Sequence, residues 1–123
     1  MLNRTQLIRL IEASLSALRP DYARKLSRAW LQVWPEDFTV NLLLSKSLIS
    51  ENNEHEAFTI LKKLAVVDPE QVSVHETLAN IARDIGENEV HSLSEGLTRM
   101  LLGQSLPRIP WLVATRESHT AIT

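Results

Sequence analysis

The residues best suited to chemistry are four histidines, because imidazole serves both as a metal ligand and as a general base. They are His55, His75, His91 and His119. His75-Glu76 begins the spacing of a metalloprotease helix, but that helix needs a second histidine where this chain has Ala79. The other histidines show no metal-ligand spacing. We therefore expect each histidine to lie on a helix surface or to be satisfied in the core.

Other catalytic groups are equally sparse. The chain has no cysteine, which excludes disulfides, cysteine-based zinc sites and a thiol nucleophile. Gly86, Gly96 and Gly103 are scattered singly and form no phosphate-binding loop. Serine and aspartate occur without the context of an activated nucleophile. The sequence thus predicts a protein that is not an enzyme and that needs no cofactor or metal.

The composition indicates a globular domain, and the charge is distributed unevenly along the chain. The 123 residues are 44% hydrophobic and 23% charged, with a net charge of −2. Residues 1–34 carry a balance of +4 and residues 35–103 a balance of −7, which permits head-to-tail self-association. The low net charge and the lack of a long apolar run predict no nucleic-acid or membrane partner, and we expect a cytoplasmic location. A basic patch at Arg24, Lys25 and Arg28 remains open to an acidic partner or RNA, although a solvated helix face is the simpler interpretation.

Apolar periodicity predicts six helices in three hairpins. The segments are 5–18, 21–33, 37–49, 55–67, 72–85 and 87–101. Prolines and glycines separate them, and Gly86 suits a helix C-cap. The residues expected to face inward on the second segment are Tyr22, Leu26, Ala29, Trp30 and Val33. Those on the third are Val40, Leu43, Leu44, Ser47 and Leu48, and those on the sixth are Val90, Leu93, Leu97, Met100 and Leu101.

One fixed interval runs through these segments. Pro69 follows Pro35 by 34 positions, and Ala57 follows Ala23 by the same interval. A small alanine lets two helices approach closely, and a proline ends the second helix of a hairpin. After Gly86 the pattern fits better if one residue is skipped, so that Val90 takes the place of the alanine.

When the chain is aligned with itself at this interval, residues that fall on the same place form a column. These columns resemble the tetratricopeptide repeat (TPR) family over residues 4–103. In residues 38–71 the family's columns hold Asn41, Leu44-Ser45, Leu48, Ala57, Leu61 and Pro69. In the first repeat they hold Leu7, Leu10-Ile11, Ser14, Ala23, Ser27 and Pro35, and in the third His75, Leu78-Ala79, Ala82 and Gly86. The resemblance implies an all-α, right-handed superhelix of three hairpins (1–103), followed by an irregular apolar tail (104–123). A generic helical bundle is the alternative fold.

The resemblance also implies a function, which is to bind a peptide or helix of another protein in a concave groove lined by the first helix of each hairpin. The groove residues would be Ile8, Arg9, Glu12, Leu15, Thr39, Leu42, Leu43, Lys46, Ile49, Thr77, Asn80 and Arg83. The family's clamp for a C-terminal carboxylate is not expected, because its columns hold Ile8, Glu12, Leu43, Ser73 and Thr77.

Two further expectations concern the rest of the chain. The domain is alternatively an oligomerisation or regulatory part of a longer multidomain protein, with residues 104–123 as a linker. The apolar run Pro110–Val113 follows the last helix, and we expect residues 107–115 to cover the last hairpin or the groove, or to begin a further domain.

Overall fold

The computed structural model describes residues 2–105, which form six α-helices and no β-strand. They are α1 (Arg4–Ser16), α2 (Pro20–Leu31), α3 (Phe38–Ser50), α4 (Glu54–Val67), α5 (Val72–Asp84) and α6 (Asn88–Ser105). The prediction of an all-helical chain with six helices is confirmed. α6 runs through Gly103, so residues 104 and 105 are helical and do not begin the tail as predicted. Residues 106–123, which hold the remainder of the predicted tail, lie outside the described part.

Polar side chains and a proline define where the helices begin. Asn3 caps α1 by accepting a hydrogen bond from the Gln6 amide, and the Gln6 side chain accepts one from the Asn3 amide. Pro20 is the first residue of α2, where its fixed φ suits a helix and its missing N–H costs nothing. Asp37 caps α3 through the Val40 amide.

The helices repeat at the interval that separates the two prolines. The first helices of the three hairpins begin at Arg4, Phe38 and Val72, each 34 positions after the last. The second helices begin at Pro20, Glu54 and Asn88, with the same spacing. The predicted one-residue shift after Gly86 is therefore wrong, because α6 begins at the unshifted position. In this register the position of Ala23 and Ala57 is His91, and the half-buried Val90 packs beside it on the core.

The turn inside each hairpin is the same backbone motif. Leu18, Asn52 and Gly86 have positive φ of 59°, 62° and 83°. After each of them, the next amide donates back to the helix, from Arg19 to Ser14 (2.8 Å), from Asn53 to Leu48 (2.8 Å) and from Glu87 to Ala82 (2.7 Å). These are Schellman caps, which satisfy carbonyls that the helix end leaves unpaired.

The core forms two clusters along the chain. The first joins α1, α2 and α3 around Ile11, Ala23 and Val40, and the second joins α3, α4 and α5 around Leu48 and Leu61. Consecutive helices pack on each other, and α1 also packs on α3. Ala23 and Ala57 are fully buried, as the predicted close approach of helices requires.

The predicted inward faces hold for α3 and fail in part for α2 and α6. All five predicted residues of α3 are buried, because helices pack on more than one side of it. On α2 the buried residues are the small Ala23 and Ser27, while Tyr22, Ala29 and Val33 are exposed. On α6, Ser94 is buried and Leu93 and Met100 are exposed. Leu18, the last residue of the predicted first helix (5–18), is 85% exposed because it lies in the turn after α1.

Candidate functional site

The predicted groove residues lie on the first helices and repeat with them. Glu12 on α1, Lys46 on α3 and Asn80 on α5 occupy one column of the repeat, and all three are exposed. α1 and α3 pack against each other, whereas α5 packs on α4 and α6. The predicted residues of α1 and α3 therefore lie on two helices that pack together, and we call them the first-helix row. It comprises Ile8, Arg9, Glu12, Leu15, Thr39, Leu42, Lys46 and Ile49.

The apolar members of the row are partly built into the core. Ile8 and Leu15 pack against the first core cluster, and Leu42 and Ile49 pack against the second. All four are half-buried, so each leaves part of its side chain accessible. Leu43, predicted to face a partner, is only 6% exposed and belongs to the first cluster. Its place in the groove is corrected to the core, because α1 and α2 both pack on α3.

The charged members of the row are available to a partner. Arg9 and Lys46 are exposed, and neither forms an ion pair with another described residue. On α5, Thr77 is half-buried and donates to the Ser73 carbonyl at 2.7 Å. Arg83 is exposed and lies 3.6 Å from the Asp84 carboxylate.

A small polar cavity lies where α5 meets α6. Its volume is about 210 Å³, and Asn80 and Arg83 line it together with His91 and Glu95. His91 donates through Nδ1 to the Ala79 carbonyl at 2.8 Å, which fixes its ring against α5. The α5 part of the predicted groove therefore borders polar side chains, unlike the apolar surroundings on α1 and α3.

The basic patch on α2 is largely neutralised. Arg24 donates to Glu51 at the end of α3, and Arg28 donates to Glu56 on α4, each at 2.7 Å. Only Lys25 of the three is without such a partner among the described residues. These pairs tie helices together, so two of the three side chains have a structural role and are not simply the solvated helix face that the sequence favoured.

An open cavity lies at the first junction, by which we mean residues 32–37 between α2 and α3. It has a volume of about 690 Å³ and is lined by apolar side chains that include Trp30, Val33 and Trp34. The two indole rings are tilted, with centroids 6.2 Å apart. Trp34 is 56% exposed. Sequence reasoning missed this surface because it took both Trp30 and Val33 as core residues.

Asp37 holds the first junction together. Its carboxylate accepts from the Arg4 guanidinium at 2.7 and 2.9 Å, from the Trp30 indole at 2.9 Å and from the Val40 amide at 3.2 Å. The Arg4 hydrogen bonds lower the pKa of Asp37 from 3.8 to about 2, with further help from Trp30 and Val40. The Asp37 side chain is only 7% exposed. It thus joins α1, α2 and α3 at one buried anion.

The second junction, residues 68–71 between α4 and α5, uses a histidine. His75 is buried, and its Nε2 donates to the Pro69 carbonyl at 2.6 Å. The equivalent residue 34 positions earlier is Asn41, which donates to the Pro35 carbonyl at 3.1 Å. The Nδ1 of His75 is buried without a partner among the described atoms. The hydrogen bond from His75 to Pro69 ties the second junction to α5.

The described residues contain neither a metal cluster nor a helix suited to a bilayer. Over residues 2–105, no three histidine, aspartate or glutamate side chains lie where they could hold a metal ion together. No helix in the same region combines the length and the apolar character that a membrane span requires. Comparison of the chain with protein-family models and with curated proteins finds no match.

Proposed function

We propose that the chain is a non-catalytic protein-binding scaffold of the tetratricopeptide kind, whose hairpins stack into a right-handed superhelix and whose first helices hold a peptide or helix of a partner. The observation that carries this proposal is the regular repetition of helix starts, hairpin turns and side-chain columns along the chain. Solenoids work in this way because each unit presents equivalent positions to the same extended ligand.

The chemistry of the first-helix row favours a particular class of ligand. The accessible parts of Ile8, Leu15, Leu42 and Ile49 offer apolar contact on two adjoining helices. Arg9 and Lys46 add two cations that have no partner of their own among the described residues. A segment that alternates apolar and acidic side chains would satisfy both features, since buried apolar contact supplies affinity and paired charge supplies orientation.

The row is less suited to a free C-terminal carboxylate. Some TPR proteins clamp such a group with side chains at fixed columns. Here those columns include Glu12 and Leu43, and Leu43 is buried. A carboxylate placed beside Glu12 would be repelled by a like charge. We therefore propose recognition of an internal segment of the partner.

The experiment is selection from a phage-displayed library of random twelve-residue peptides on the immobilised protein. We expect enrichment of peptides that carry both apolar and acidic residues. The double substitution Arg9→Glu and Lys46→Glu should reduce their affinity at least tenfold, because it reverses two charges that face the ligand. Both positions are exposed and unpaired, so the helical content should not change.

Two further variants locate the binding surface. Lys25→Glu makes the same charge reversal on α2, where the exposed lysine lies outside the row, and should leave binding unchanged. Trp34→Ala removes the exposed indole of the first junction and should also leave it unchanged. No enrichment, or binding that is lost with Trp34→Ala and kept with the double variant, would contradict the proposed use of the first-helix row.

A further inference from the structure

The outward side of α6 carries an apolar face that no described residue covers. Leu93, Leu97 and Met100 are spaced to lie on one side of the helix, and Leu93 is 61% exposed. The face adjoins the half-buried Val90 and Leu101, so it continues the apolar surface that packs on α5. Three neighbouring large apolar side chains in water mark a contact surface.

This face is peculiar to the last hairpin. The residues 34 positions earlier, on α4, are Thr59, Lys63 and Val66. Those another 34 positions earlier are Lys25 and Ala29 on α2 and Gln32 directly after it. All six are exposed, and most are polar or small. The repeat itself therefore does not call for apolar residues here, and the reason must lie in something that only α6 meets.

Gly96 leaves the backbone of α6 open beside this face. It lies in the middle of α6 beside Leu93 and Leu97, and a Cβ added to it would meet nothing within 4 Å. Glycine is a poor helix former, and the two equivalent positions are Arg28 and Lys62. Packing among the described residues thus gives no reason for a glycine, whereas a side chain seated against the helix backbone would require one.

We propose that the chain's own C-terminal segment covers this face, with residues 109–113 lying against Leu93, Leu97 and Met100 and over Gly96. This segment is the occupant that the sequence favours. It places Ile109, Trp111, Leu112 and Val113 close together directly after α6, which ends at Ser105. Pro107 and Pro110 disfavour a continued helix through this segment.

The connection is long enough. Trp111 lies six positions after Ser105, and a stretch of this length can span roughly 20 Å when extended. The helix rises about 12 Å from Leu97 to Ser105 and about 18 Å from Leu93 to Ser105, at about 1.5 Å per residue. An extended segment that runs back along α6 from Ser105 is therefore long enough to reach the whole face.

The absence of cysteine from the chain allows a clean cross-linking test in the full-length protein. The test variant carries Leu93→Cys and Leu112→Cys. The matched control carries Ser92→Cys and Leu112→Cys, because Ser92 is exposed, has almost the same tether length and lies about 100° around the helix from Leu93. Under a mild glutathione redox buffer, we expect an intramolecular disulfide to form at least tenfold faster in the test variant. Adding Leu97→Gln to it should slow the reaction to the control rate.

Each other outcome overturns the proposal. Equal rates in the two variants would mean that the segment samples all sides of α6 without docking. A disulfide that forms between chains, at a rate that rises with protein concentration, would assign the face to a second copy. A fast reaction that Leu97→Gln does not slow would show that the apolar face does not hold the segment.

Discussion

At the first junction Asp37 accepts hydrogen bonds from Arg4, Trp30 and Val40, whereas at the second junction the equivalent residue is Gln71, whose side chain caps nothing. The second junction relies instead on His75, which reaches the Pro69 carbonyl. The turns inside the hairpins differ from both, because all three use one backbone motif. The comparison teaches that the repeat is constant in its backbone and varies in the side chains that lock it.

The largest expected effect comes from removing the lock of the first junction. Asp37→Ala should lower the free energy of unfolding by about 3 kcal/mol, because it removes a helix cap, a hydrogen bond to the Trp30 indole and an ion pair to the half-exposed Arg4. Urea denaturation measures the change. Gln71→Ala is the matched variant at the second junction and should cost less than about 1 kcal/mol. Equal losses in the two variants would mean that the junctions do not differ in the way described.

The same carboxylate predicts how stability depends on pH. The folded pKa of Asp37, about 2, lies below its ordinary value of 3.8. The ionised form is thus favoured by folding, so its contribution is fully present above pH 4 and is lost as the pH falls towards 2. The loss should be about 2 kcal/mol, at about 1.36 kcal/mol per pKa unit.

Asp37→Asn serves as the control for this pH dependence. Its free energy of unfolding should fall less steeply between pH 4 and pH 2 than that of the unmodified protein. Parallel pH profiles, measured by urea denaturation in matched buffers, would exclude Asp37 as the source.

One substitution gives the second junction the residue that binds the proline carbonyl at the first junction. His75→Ala should cost about 2 kcal/mol, because it leaves a cavity and an unpaired Pro69 carbonyl. His75→Asn copies the residue at the equivalent position, Asn41, and should cost less than about 1 kcal/mol, since an amide can donate to the same carbonyl. Thermal unfolding compares the two. An asparagine variant as unstable as the alanine variant would show that the junctions cannot exchange this residue.

The smallest effects are expected in the hairpin turns, where the backbone sets the structure. Leu18 is exposed and has positive φ, so Leu18→Gly should stabilise by about 1 kcal/mol. Gly86→Ala should destabilise by about 1 kcal/mol through backbone strain alone, because the added Cβ would meet nothing. Asn52→Gly should change little, since asparagine tolerates this conformation. Urea denaturation of the three variants should therefore show a gain, a loss and almost no change in the free energy of unfolding, although the three turns share one geometry.

Much of the fold follows from the sequence where apolar residues are periodic and large. All five residues predicted on the inner face of α3 are buried, because large apolar residues such as Val40, Leu44 and Leu48 mark that face, whereas the buried Ser45 was not predicted. The α2 face was predicted only in part, because close helix packing buries Ala23 and Ser27, and hydrophobicity alone favours Tyr22 and Val33 over such small residues. The predicted shift after Gly86 failed for a related reason. It followed the apolar Val90, whereas the backbone register continued to the polar His91.

For the candidate site too, positions that depend on the repeat interval could be predicted, and features that depend on packing could not. The columns of the first helices could be predicted, because they follow from the interval alone. Leu43 was expected both on the inner face of the third helix and in the groove, and the packing of α1 and α2 on α3 decides for the core. The Asp37 network was also beyond prediction, because Arg4 and Trp30 meet this carboxylate only after three helices are assembled. The superhelix and the tetratricopeptide kinship stay predictions.

Chemical-shift mapping tests the proposed scaffold most directly. The ¹⁵N-labelled protein is titrated with a peptide selected from the random library, and amide shifts are followed for each residue. We expect saturable shifts concentrated on α1 and α3 around Arg9 and Lys46, with little change on the outer side of α2 around Lys25. Shifts centred on Trp34 and the first junction, or no saturable shift with any selected peptide, would contradict binding by the first helices.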